Sequence, residues 1–125
     1  MCLIIDTSVN TLNKRVVWKV FERSSGFRRI VSLFKCATYP KGKLIERSKG
    51  DPVDKWSGNG NHGLHFYLSK GIALREAKRW PRSYIAKFAV SPKDFMFAGT
   101  DGEAAMYQRA TRVGNYIKVG FKRAL

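Results

Sequence analysis

The chain has 125 residues, 44% of them hydrophobic and 13% aromatic, with 24 Lys+Arg against 9 Asp+Glu for a formal net charge of +15. That length implies one domain, residues 1–125, large enough to bury a core without staples, and the composition excludes a disordered chain. No apolar run approaches the roughly 20 residues that span a bilayer, and the opening Met-Cys-Leu-Ile-Ile-Asp lacks the basic start and the length of a signal peptide, so a cytoplasmic protein without a membrane partner is expected.

In chain order, residues 2–5 are apolar and fit a short edge strand or a tail docked on a sheet. Residues 15–22, RVVWKVFE, are rich in β-branched and aromatic types and read as a strand. After the turn Ser24-Ser25-Gly26, the run IVSLFKCATY is apolar at both parities, which suits a strand buried on both faces or a short helix. Tyr39-Pro40-Lys41-Gly42 has turn chemistry, and residues 43–47 fit a short strand. Residues 48–63 lose all periodicity, and a loop of that length in a compact domain usually carries function or moves. Trp56 lies inside it, where an indole needs a core or a ligand to dock on.

Residues 64–68 alternate cleanly, setting Leu64, Phe66 and Leu68 against His65 and Tyr67. Ser69 is a natural N-cap for a helix over residues 69–80, stopped by Pro81, with Ile72, Ala73, Ala77 and Trp80 as its apolar stripe and Lys70, Arg75, Lys78 and Arg79 as its basic surface. Residues 83–90 and 95–98 read as strands. From Glu103 helix formers compete with an alternating pattern, and the alternation is preferred through residue 111. A turn at residues 113–116 then precedes a last strand, residues 116–121. The expected fold is a single α+β domain with a strand-rich, mostly antiparallel sheet and one helix.

The signatures of nucleotide hydrolases, serine hydrolases and zinc proteases are absent. Cys2 and Cys36 read as small buried hydrophobes, and with the two histidines they lack the paired spacing of a zinc site, so no metal is expected. Gly58-Asn59-Gly60-Asn61 precedes a strand instead of linking strand to helix, which rules out a dinucleotide fingerprint but leaves a loop whose N–H groups can cradle an anion. His65 and Tyr67 share a strand face and can project toward one site, so His65 as an acid, base or phosphate donor and His65 as a hydrogen-bonded histidine of a half-buried sheet are both open readings, and His62 reads as a cap or turn residue. Aromatics interleave with bases at Trp18-Lys19, Phe27-Arg28-Arg29, Tyr107-Gln108-Arg109 and Phe121-Lys122-Arg123, a pattern that suits stacking beside phosphate contacts.

The strand VVWKVF, the later NHGLHFY, the alanine-bearing helix and the strand YIAKFAV together resemble small uncharacterised phage and mobile-element domains, over roughly residues 15–113. That resemblance implies a role in host takeover or counter-defence, in the host cytoplasm. The same order is similar to the split sheet of ADP-ribosyltransferases, in which Tyr67 matches the middle element of the NAD site and Glu103 the last. The first element departs, with Trp18 and Lys19 where that family has His or Arg, and Arg15 a few residues earlier. A charge of +15 creates a field of several kT that attracts phosphates and acidic protein faces. The expected function is non-catalytic binding of an anionic, nucleotide-like ligand, namely RNA, DNA or a small phosphorylated nucleotide, with no cofactor. Lys19, Arg75, Arg109 and Arg112 would supply charge, Trp56 and Tyr67 would stack, and His65 would hydrogen-bond. The alternatives are an NAD-using transferase acting through Tyr67 and Glu103, and an inhibitor docking on an acidic protein.

Overall fold

A computed structural model describes residues 3–23, 30–32, 38–52, 59–60 and 62–120. Cys2, Cys36, Trp56 and the two basic segments Phe27-Arg28-Arg29 and Phe121-Lys122-Arg123 lie outside the described residues. The spine is the pairing of β2 (Val16–Arg23) with β7 (Ser83–Ala89), in register from Val16↔Ala89 to Glu22↔Ser83. β2 carries Val16, Val17, Trp18, Val20 and Phe21 and β7 carries Tyr84, Ile85 and Phe88, residues whose bulk favours extended backbone and packs well on a pleated surface.

On one side of this pair β10 (Arg109–Arg112) follows β7, and β4 (Leu44–Glu46) follows β10. On the other side come β6 (Leu64–Tyr67), β9 (Ala104–Tyr107), β8 (Phe95–Gly99), β1 (Leu3–Asp6) and β5 (Asn59–Gly60). The short strands β3 (Ile30–Ser32) and β11 (Ile117–Lys118) pair with β2 and β7. The registered neighbours run antiparallel, as expected. The class is therefore α+β with the sheet dominant.

Pleating sorts the side chains onto two faces. Val17 and Phe21 of β2 share one face with Ala86 and Phe88 of β7, Leu64 and Phe66 of β6, and Ala105 and Tyr107 of β9. With Tyr39 they form the main core, in which Phe66 lies 4.9 Å from Phe88 and Phe21 stacks on Phe88 at 6.1 Å. On the opposite face α1 (Lys70–Ala77) sets Ala73 and Ala77 against Val20 and Ile85, the small alanines letting the helix approach the sheet closely. Leu3, Ala104 and Met106 make a third cluster, flanked by Tyr67, Met96 and Phe97. Among the described residues no helix is long and apolar enough to cross a membrane.

Four expectations need correction. The helix occupies Lys70–Ala77, not residues 69–80: Ser69 caps it through its hydroxyl, which accepts from Ile72 N–H at 3.2 Å, but Arg79 and Trp80 donate to Glu76 and Ala77 three residues back, tightening the end into a turn. Trp80 accordingly falls out of the buried stripe and is 38% exposed. The first strand is not an edge, because β8 and β5 flank β1. The aperiodic stretch contains β5, and the last strand shortens to Ile117–Lys118 in the described residues. After Glu103 the alternating reading holds: β9 and β10 are separated at Gln108, whose N–H turns to Asp94 O at 2.8 Å.

Tyr107 is 0% exposed, and its hydroxyl has no hydrogen-bond partner among the described residues. Burial pushes this phenol up to about 12. Above the ordinary tyrosine value near 10 the unfolded chain releases a proton that the fold retains, so stability falls with rising pH between the two values, by roughly 2–3 kcal/mol in all. Tyr107→Phe should match or exceed wild-type stability at neutral pH, since it removes an unsatisfied hydroxyl. In urea melts at stepped alkaline pH it should lose less stability than wild type between pH ~10 and ~12; equal losses would place the alkaline sensitivity elsewhere.

Candidate functional site

The expected site residues separate into three places. Tyr67, Arg75 and Glu103 meet where β6 leads into α1. The register Tyr67↔Ala104 puts Tyr67 beside the start of β9, and Leu68 N–H donates to Glu103 O at 2.8 Å. From α1, Arg75 donates to Glu103 Oε2 at 2.5 Å and to Glu76 Oε1 at 3.3 Å, while Arg79 pairs with Glu76 Oε2 at 3.6 Å. Asp101 Oδ1 accepts from Glu103 N–H at 2.9 Å, closing the turn that Asp101 and Gly102 form.

This arrangement sets the protonation states. The hydrogen bond from Arg75 holds the Glu103 carboxyl below the usual carboxylate value. The Tyr67 phenol is raised, first by burial and then by the charges of Glu76 and Asp101, against which Arg79 and Arg75 act. At neutral pH Tyr67 is therefore a neutral phenol and Glu103 an ionised acceptor already bound to a guanidinium. Arg75 remains 53% exposed beyond those two carboxylates.

Lys19 lies on the opposite face of the sheet. Its Nζ donates to His65 O at 2.7 Å and sits 5.1 Å from the Phe66 ring and 5.6 Å from that of Tyr39. Trp18↔Tyr67 is the registered pair between β2 and β6. The lysine thus ties the two strands together through a charge-assisted bond under an aromatic cover. His65 does share a face with Tyr67, but its ring packs beside β5: a Cβ placed on Gly60 would lie 3.5 Å from Nε2. His62 takes the turn role expected of it, with Nδ1 3.3 Å from Ser48 Oγ and the ring against Gly50.

Arg109 and Arg112 are held by the fold. Arg109 bonds Asp94 Oδ1 through Nε at 3.1 Å and Nη2 at 2.8 Å, which raises its own already high value. Arg112 is buried, donating to Tyr39 O and Gly114 O at 2.7 Å each, with its guanidinium 4.2 Å from the Tyr116 centroid. Both brace β10 against neighbouring segments. Of the four cations expected to bind ligand, Lys19, Arg75, Arg109 and Arg112, Arg75 is the one most open to solvent, and Trp56 lies outside the described residues.

Beyond the expected ligand-binding residues, the fold leaves further cations unpaired among the described residues, of which Lys70 and Lys78 belong to the basic helix surface expected from the sequence. Lys70 lies 5.6 Å from the Trp18 ring, and Arg23 lies 5.9 Å from that of Tyr84. Together with Lys78, Arg82, Lys87 and Lys118 they make no ion pair among the described residues. The sequence signal for Arg82 is its place after Pro81 in a short connection; Lys118 had none. Among the described residues no group of His, Cys, Asp and Glu is placed to hold a metal. No protein-family model matches the chain, and neither the curated proteins nor the solved structures compared with it give a match.

Proposed function

We propose that the protein binds an anionic, nucleotide-like ligand, a nucleic acid or a phosphorylated nucleotide, without turning it over. The observation that carries this reading is the division of its charges. Glu76, Glu103 and Asp94 engage Arg75, Arg79 and Arg109, whereas Arg23, Lys70, Lys78, Arg82, Lys87 and Lys118 have no carboxylate partner among the described residues. Uncompensated cations repel one another in the free protein, and phosphates relieve that repulsion. Two of these cations lie over aromatic rings, Lys70 at Trp18 and Arg23 at Tyr84, the combination that suits bases joined to phosphates.

The test is fluorescence anisotropy with a labelled oligonucleotide and, separately, a labelled nucleoside triphosphate, over a salt series. An oligonucleotide touching about four phosphates should lose roughly 50-fold in affinity between about 50 and 200 mM salt, and the small nucleotide much less. Absence of binding to either probe at the lowest salt would overturn the proposal.

A transferase reading has one observation in its favour, the adjacency of Tyr67 to Glu103 across the β6–β9 ladder. Against it stands the Arg75–Glu103 pair, which occupies the carboxylate such chemistry needs free. Transfer of label from NAD that disappears in Glu103→Gln would favour it over simple binding.

A further inference from the structure

We infer that single-stranded nucleic acid is held at the corner where β2 and α1 end and β7 begins, by Arg23, Lys78, Arg82 and Lys118. This rests on the binding function proposed above and adds the location and the strandedness of the ligand.

The fold gathers these four residues from four elements. Arg23 ends β2 and donates its N–H to Arg82 O at 3.1 Å, joining that strand to the turn after α1. Lys78 caps the C-terminus of α1. Ser83, the first residue of β7, donates its hydroxyl to Ala77 O at 2.6 Å, and its carbonyl accepts from Val119 and Gly120 at 2.9 and 3.2 Å. The helix end and the tail of β11 are thereby fastened to one point. Lys118 registers with Tyr84, over whose ring the Arg23 guanidinium lies at 5.9 Å. Of the acids near this corner, Glu76 pairs with Arg75 and Arg79, and Glu22, which registers with Ser83 and is half-buried, pairs with none of the four cations among the described residues.

Lys78 at a helix C-terminus is favoured by the helix dipole. That does not extend to Arg23, Arg82 or Lys118. Arg82 has φ 56°, a left-handed backbone that glycine or asparagine adopts at lower cost. Keeping an arginine there holds the backbone in strain that glycine would avoid, and strain of this kind concentrates at functional positions. The half-buried Tyr84 and the partly exposed Trp80 stand at the same corner. Aromatic faces beside cations take unstacked bases, which a duplex keeps within its own stack, so the fit is to a single strand.

The experiment compares the triple variant Arg23→Gln, Arg82→Gly, Lys118→Gln with a control of equal charge change, Lys41→Gln, Lys43→Gln, Lys93→Gln, by anisotropy with labelled oligo(dT) and a hairpin duplex. Circular dichroism melts confirm folding. Arg82→Gly is also measured alone, because glycine relieves the backbone there and keeps the fold. Wild type should prefer oligo(dT) to the duplex. The corner triple should bind oligo(dT) at least tenfold more weakly with a salt slope shallower by about 2, Arg82→Gly alone should lose about threefold, and the control should change less than threefold. Equal losses in both triples, or an unchanged corner triple, would overturn the location while leaving the binding function standing. Preference for the duplex would overturn the strandedness, and a wild-type protein that binds no nucleic acid or nucleotide would overturn both readings.

Discussion

Truncation of Phe66 to Ala is expected to lower the unfolding free energy by about 3–5 kcal/mol. Phe66 is 2% exposed and touches Phe88 at 4.9 Å and Tyr107 at 6.2 Å between ring centroids, in the middle of the main core. Its neighbours sit on four different strands, β2, β6, β7 and β9, so the backbone cannot collapse into the void without breaking register. The loss has a second part: the Lys19 ammonium 5.1 Å from this ring would lose an aromatic cover while remaining bound to His65 O. Urea denaturation should show a lower midpoint with an unchanged slope. A shift worth less than about 1 kcal/mol would mean that this face of the sheet is not the principal core.

Gly120→Ala should be the other large effect, a loss of about 2–3 kcal/mol from overpacking. A Cβ at Gly120 would lie 2.2 Å from Trp80 O, 2.6 Å from Ser83 Oγ and 3.0 Å from Ser83 N. Two of these atoms are backbone and cannot rotate aside. To make room, the tail after β11 must lift from Ser83, giving up its hydrogen bond to Ser83 O at 3.2 Å. Gly71→Ala is the matching control, since a Cβ there meets nothing within 4 Å, and alanine in a helix is favoured by about 1 kcal/mol. Thermal melts of the two variants should move in opposite directions. If Gly120→Ala melts with wild type, the tail does not pack at the α1–β7 corner, and the position inferred for Lys118 falls with it.

These expectations draw on features that differ in how far they could be read along the chain. Leu64 and Phe66 alternate with His65 and Tyr67 within four residues, and the two pairs do take opposite faces, because pleating is a local property. Ser69 as N-cap is local in the same sense, its hydroxyl reaching only to Ile72 N–H. The helix end was harder. The apolar spacing continues to Trp80, and only the contacts of Ala77 with Ser83 and the tightened last turn end the helix earlier.

The charged residues were the least legible. Lys19 reads as an outward cation until β2 is set beside β6, where the face it shares with Val17 and Phe21 sends it into the core toward a carbonyl 46 residues away. Arg109 and Arg112 look like ligand-binding charges, yet Asp94 and Tyr39 O hold them. Arg23, Arg82 and Lys118 carry no local mark, and come together only because β2, β7 and β11 pair.

What the chain settles alone is the class: basic, sheet-rich α+β, with one capped helix among the described residues, since composition, alternation and capping act over a few residues. Which cations face solvent and which brace the fold is decided by the strand order. A charge takes its role from partners tens of residues distant, and those partners are fixed only when the sheet closes around them.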